Sequence, residues 1–196
     1  MSAARSVGLP VLLAGALLAG CAGDSTAIAA APLCREGSDG ADNGVILMAQ
    51  SVPSATWVPC IGAALPLGWN FHHLDARNGV SRFWLDSDRD GQQAVEVRLT
   101  ESCHTGGATE VPSDREDMQR LERVDRMSPA YAGARYYLFE GGCMTVVFNL
   151  AGDSAGEALG VSSQVVGVVA RADLAAQVHE ASGGRLSLDP VPDKNG

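Results

Sequence analysis

Ala94-Val95-Glu96-Val97-Arg98-Leu99-Thr100 alternates cleanly, with Val95, Val97 and Leu99 on one side of an extended chain and Glu96 and Arg98 on the other. Successive side chains of a strand point to opposite faces, so this segment buries one face and wets the other, as a strand of an antiparallel sheet does. Two more extended runs precede it, Trp69 to Leu74 and Val80 to Leu85. Asn78-Gly79 between them is the chemistry of a two-residue hairpin turn, and Asp90-Gly91 helps close the loop before Ala94. Downstream, Ala134 to Phe139 and Met144 to Leu150 form a second hairpin around Gly141-Gly142, with Met144, Val146, Phe148 and Leu150 on a core face. Thr105 to Met127 is a polar interval, with Val111-Pro112-Ser113-Asp114 as a loop. Within it Gln119 to Asp125 is charged almost throughout and reads either as an exposed helix or as a surface strand.

The flanks differ in character. Val45 to Met48 reads as a short buried strand, followed by a segment broken at Pro53 and Pro59 and punctuated again at Pro66 and Gly68. Toward the C-terminus, Ser154 and Glu157 have capping-box spacing, and Ala158, Val161, Val165 and Val168 share a helical face. Gly160 and Gly167 weaken that helix. Asp173 to Ser182 reads as a second helix with Leu174, Val178 and Ala181 inward and Gly183-Gly184 as its stop. No internal repeat is present. The expected fold is α+β, an antiparallel β-meander with C-terminal helices, as a single domain over residues 44–189 with a disordered tail at 190–196.

At the N-terminus one positive charge, Arg5, precedes an apolar run from Val7 to Ala19 that is too short to span a bilayer. It ends in Leu18-Ala19-Gly20-Cys21. This stretch resembles the lipobox of bacterial lipoproteins. The resemblance implies that residues 1–20 are a signal peptide, that the Cys21 sulfur receives a diacylglyceryl group, and that lipidated Cys21 becomes the mature N-terminus. Acyl chains contribute about 0.8 kcal/mol per buried methylene, so such an anchor holds stably. Residues 21–43, rich in Ala, Gly, Ser and Asp, read as a flexible tether. The domain is then expected on the outer face of the cell membrane, which it meets through its anchor.

The remaining cysteines, Cys34, Cys60, Cys103 and Cys143, are even in number, which in an oxidising compartment reads as two disulfides. Three pairings are open. Cys34 with Cys60 and Cys103 with Cys143 is favoured, since the first pair brackets an irregular Pro-containing segment and the second lies at strand ends. No CxxC spacing supports zinc. A catalytic thiol at Cys103 beside His104 is disfavoured, because adjacent strand residues face opposite ways.

The formal net charge is −9 at pH 7, and removal of a signal peptide carrying one Arg and no acid makes it more negative. Such a domain is a poor partner for nucleic acid or anionic headgroups. Lys194 is the only lysine while Arg, Ala and Gly abound, a bias that suggests a GC-rich genome. Ile46-Leu47-Met48-Ala49-Gln50-Ser51-Val52-Pro53, Val58-Pro59-Cys60, Phe83 to Arg89 and Gly141-Gly142-Cys143 resemble an uncharacterised group of exported proteins from GC-rich Gram-positive bacteria, over roughly residues 43–150. That resemblance implies export and no activity.

The sharpest chemical feature is Asp86-Ser87-Asp88-Arg89-Asp90-Gly91. Asp86, Asp88 and Asp90 stand at alternate positions before a glycine, as calcium loops require. The twelfth position, where an EF-hand places a bidentate acid, is Val97, so this is not an EF-hand. The competing reading is a hairpin loop whose aspartates bond their own backbone. No cofactor other than calcium at this loop is expected. His72 and His73 lie near Asp75, but strand alternation lets at most one join it at a shared site. His104 and His179 are further metal candidates. Trp57, Trp69 and Trp84 either line a binding surface or belong to the core. GxSxG, HExxH and a phosphate-cradling glycine loop are absent. The reading is a non-catalytic binding or interaction module of the cell envelope, its partner an envelope protein or a small ligand. A calcium-dependent module and a hydrolase with a scattered site are the alternatives.

Overall fold

The computed structural model describes residues 30–35, 41–62, 64–127 and 129–190. The segment 1–20, Cys21 and residues 191–196 lie outside the described residues, as does most of the expected tether.

The fold is α+β, built on one large antiparallel sheet. β2 (Trp69–Arg77), β3 (Val80–Ser87) and β4 (Gly91–Thr100) form one meander, and β5 (Thr109–Val111), β6 (Gln119–Arg126), β7 (Tyr131–Phe139) and β8 (Gly142–Leu150) form another. The strand order is β2-β3-β4-β8-β7-β6-β5, so the two meanders meet where β4 pairs with β8, from Val95 opposite Phe148 to Thr100 opposite Cys143. These central strands carry the apolar alternation: Val95, Val97, Leu99, Met144, Val146, Phe148 and Leu150 are all buried. Asn78-Gly79 turns β2 into β3 as expected, with Arg77 opposite Val80 and φ +83° at Gly79. The charged Gln119–Arg126 segment is a strand, because β7 supplies it with a ladder partner.

The inner face of this sheet is covered by α1 (Asn43–Ser51), by a two-stranded sheet of β1 (Trp57–Ile61) and β9 (Val166–Ala170), and by α2 (Ala155–Val165) and α3 (Arg171–Ala181). The run Val45 to Met48, expected as a strand, lies in a helix. Val45, Met48, Ala49 and Val52 are buried at the i, i+3, i+4, i+7 spacing of one helical face, and the Asp42 carboxylate accepts the Gly44 N–H at 2.9 Å as an N-cap. Residues 30–35, expected within the tether, lie against the domain: Leu33 bridges Ile61 in parallel, and Cys34 accepts no slack because it is bonded to Cys60.

Both disulfides have the expected partners, Cys34 with Cys60 and Cys103 with Cys143, at Cα separations of 5.1 and 5.6 Å. The helix expected through Val168 stops at Val165. Val166 to Ala170 is a β-branched strand that pairs with β1, setting Val168 opposite Pro59. Ser154 makes no capping bond, since its φ −117°, ψ 43° does not aim the hydroxyl at the first turn. In α3, Leu174 and Val178 are buried as expected and Ala181 is exposed. Gly183 and Gly184 end it at φ +63° and +78°.

The link from β4 to β5, residues 101–108, carries the chain from the middle of the sheet to its far edge. Four strand steps make roughly 19 Å, within the reach of up to about 26 Å of a chain that long. The link therefore crosses the outer face of the sheet, and Cys103 fastens it there to Cys143 of β8.

Candidate functional site

The β3–β4 hairpin holds the three aspartates of the acidic loop, and the structure sends them in different directions. Asp86 accepts from the Gln93 N–H at 2.7 Å through one oxygen and lies 2.9 Å from His72 Nδ1 through the other. Asp90, 6% exposed, accepts from the Ser87 hydroxyl at 2.8 Å and from the Gly152 N–H at 3.0 Å. Asp88 keeps an exposed side chain while its N–H donates to the Gly68 carbonyl at 2.8 Å. Ser87 in turn accepts from the Arg89 and Asp90 N–H groups. Asp86 and Asp90 thus serve as braces of a turn, and Asp90 also joins that turn to the segment after β8. Among the described residues no three His, Cys, Asp or Glu side chains gather closely enough to hold a metal ion.

That bracing shapes a cleft of about 870 Å³ between the hairpin, the segment before β2 and the start of α2. Trp69, nearly buried, lies at its base with Ala158 and Val161, and fully exposed Leu67 stands at its mouth. Asp88, Asp153 and Glu157 are exposed around it, against one cation among the described residues, Arg89. Arg89 is 3.9 Å from Glu157, both side chains being mostly in water, so the pair neutralises little. The rim is negative and the base apolar. Ser87, a buried hydroxyl of the cleft, is committed to the turn, and among the described residues no histidine lines the space.

The two histidines of β2 do not alternate as expected. A register shift between Phe71 and His73 leaves His72 as the extra residue of a β-bulge, and the two rings come within 4.7 Å. His73 stacks on Trp84 at 4.1 Å, with the Arg82 guanidinium 5.4 Å from the same indole. Asp75 joins neither histidine, because Arg77 and Arg82 occupy its oxygens at 3.0 and 3.3 Å. The tryptophans are dispersed: Trp57 on the small sheet, Trp69 in the cleft, Trp84 on the outer face of the large sheet.

Two polar assemblies were beyond the sequence. On β6 and β7, Arg120 and Arg135 both pair with Glu122, and Arg120 reaches Asp114 at 3.2 Å. Burial pushes the Glu122 carboxyl up, but the Arg120 hydrogen bond and the charges of Arg135 and Arg120 outweigh it and hold the group below its usual range. Asp114 is likewise held low, its burial offset by its own backbone N–H and by Arg120. Burial, followed by the nearby Asp114 charge, pushes the Tyr137 phenol up.

The second assembly is a recess of about 280 Å³ on the outer face of the sheet, lined by Arg98, His104, Arg123, Tyr136 and Thr145 and bordered by the 101–108 link. Cys103, paired with Cys143, has no thiol to offer His104; its sulfur lies 3.2 Å from the Thr145 hydroxyl. The side chains come from four strands and a loop far apart in sequence, which is why no motif marks them.

Comparisons with protein-family models, with curated proteins and with solved structures find no match to this chain. Among the described residues no helix is long and apolar enough to cross a membrane.

Proposed function

We propose that this chain is a lipid-anchored envelope protein whose folded domain binds a small ligand without transforming it, and that the cleft beside the β3–β4 hairpin is where it does so. The observation that carries the reading is the composition of that cleft: an indole and aliphatic base under a rim where Asp88, Asp153 and Glu157 face one weakly paired Arg89. A concave apolar base with few polar groups around it is the usual form of a small-molecule site. A negative rim over an indole favours a ligand with a positive charge and an apolar body. The two disulfide pairs support an oxidising location outside the cytoplasm, and Cys21 would supply the anchor.

The test is a fragment titration followed by amide and indole NMR on the protein with both disulfides intact. Phenethylamine should shift Trp69 and the amides of residues 87–91 and 152–158, whereas its neutral and carboxylate counterparts should leave them in place. Equal responses to all three would remove the cleft's charge from the argument. Consumption of the probe during the titration would replace binding by catalysis.

A further inference from the structure

We propose that the recess under the 101–108 link is a second binding site, one that takes a small tetrahedral oxyanion, phosphate or sulfate. In a chain of net charge −9, its lining among the described residues holds Arg98, Arg123 and His104 and no carboxylate. The hydroxyls of Thr100, Ser102, Tyr136 and Thr145 complete its polar surface. Cationic donors and hydroxyls facing one small space are the chemistry of oxyanion recognition, and guanidinium suits it best because several of its N–H groups remain available at once.

Both guanidinium groups are held in place from outside the recess. Arg98 gives its Nε and one terminal nitrogen to Glu96 at 3.0 and 2.6 Å, leaving the other terminal nitrogen uncommitted among the described bonds. Arg123 is gripped by Asp125 at 2.9 and 3.2 Å and points its remaining nitrogen at the Tyr136 oxygen, 3.0 Å away. Glu96 and Asp125 are not part of the lining; they reduce the charge of the recess and fix the orientation of its donors, which lowers the ordering cost of binding. Tyr136 is 4% exposed, and its oxygen accepts from Arg123 while its own proton has no acceptor among the described residues. An incoming anion would receive that proton as a hydrogen bond.

The donors come from different directions. Arg98 stands on β4, Arg123 on β6, Tyr136 on β7, Thr145 on β8, and His104 on the link that crosses above them. Such an arrangement serves a tetrahedral group with oxygens on several sides better than a planar carboxylate, which one fork satisfies. The Cys103–Cys143 disulfide holds the link over the strands, so the site needs no closure. This site is separate from the acidic cleft and does not depend on the reading given to it.

Inorganic phosphate titrated into the disulfide-intact chain at constant ionic strength, followed by amide NMR, is the test. The expected result is saturable shifts confined to residues near 98, 103–107, 123, 136 and 145, reproduced by sulfate and absent with chloride. Arg123→Gln should raise the phosphate Kd at least tenfold. If that variant fails to fold, His104→Ala, on the exposed link, should still weaken binding several-fold, and Tyr136→Phe should do the same. Shifts that do not saturate, that spread over the surface, or that persist unchanged in these variants would overturn the proposal.

Discussion

A Cβ placed on Gly167 would sit 2.5 Å from the Sγ of Cys34 and 3.5 Å from that of Cys60. β9 therefore rests its bare backbone on the disulfide that ties residues 30–35 to β1. Gly167→Ala should destabilise the fold by about 1–3 kcal/mol through overpacking, read as a lower urea midpoint. The cost should shrink in a Cys34→Ala, Cys60→Ala background, because the colliding sulfur is then gone. A cycle with no coupling between the sites would show that the penalty arises elsewhere.

The acid response should follow Glu122 and Asp114. Both carboxyls have folded pKa values below their ordinary 4.5 and 3.8, so each contributes stability that is complete above those values and is lost as the pH falls through the lower folded ones. Unfolding midpoints measured between neutral pH and about pH 3 should therefore fall on acidification. Glu122→Gln should flatten part of that slope. At neutral pH it should cost about 1–3 kcal/mol, since Arg120 and Arg135 lose their shared partner.

Asp90 and Asp88 should separate cleanly. Asp90→Ala removes the acceptor for the Ser87 hydroxyl and the Gly152 N–H and should cost about 1–3 kcal/mol. Asp88→Ala, with an exposed carboxylate, should stay within about 0.5 kcal/mol of the parent. Thermal midpoints in calcium and in EDTA should coincide, because Asp86 and Asp90 are already spent on protein donors. A calcium-specific rise that Asp88→Ala abolishes would return the loop to metal binding.

Arg171 should prove the costliest single arginine. It is 8% exposed and donates to the Ala49 carbonyl at 2.7 Å and the Asp189 carbonyl at 2.9 Å, joining α3, α1 and the C-terminal segment. Arg171→Met keeps much of the packing and orphans both carbonyls, at about 1–3 kcal/mol each when buried. Limited proteolysis should then cut near Asp189 before any other bond.

The parts of the fold legible from residues are those encoded locally. Alternation in Ala94–Thr100 and Met144–Leu150, the Asn78-Gly79 turn and the evenness of the cysteines each act within a few residues or by simple counting. α1 was masked because four consecutive apolar residues, Val45 to Met48, hide the period that only Ala49 and Val52 reveal. β9 was masked by coincidence: Val161, Val165 and Val168 keep helical spacing although the chain extends at Val166. The β4–β8 ladder and the link across the outer face join segments with no local signature. The same distance hides the Arg98–His104–Arg123 recess, and the bulge at His72 alters which way two neighbouring rings point without altering the sequence around them. Of the acidic loop, the turn was legible in the aspartates; the cleft was not, since Trp69 and Val161 reach it from other elements.

The junction of the two meanders also governs the order of events in folding. β4 precedes its partner β8 by a whole three-strand excursion, so Val95, Val97 and Leu99 stand on an open edge until residue 150 has been made. Val95, Val97 and Leu99 share one core cluster with Met144, Val146 and Phe148, and contacts this far apart in sequence form slowly. Before β8 arrives, that edge is a template for any passing extended chain. Pairing with β8 is what removes that exposure.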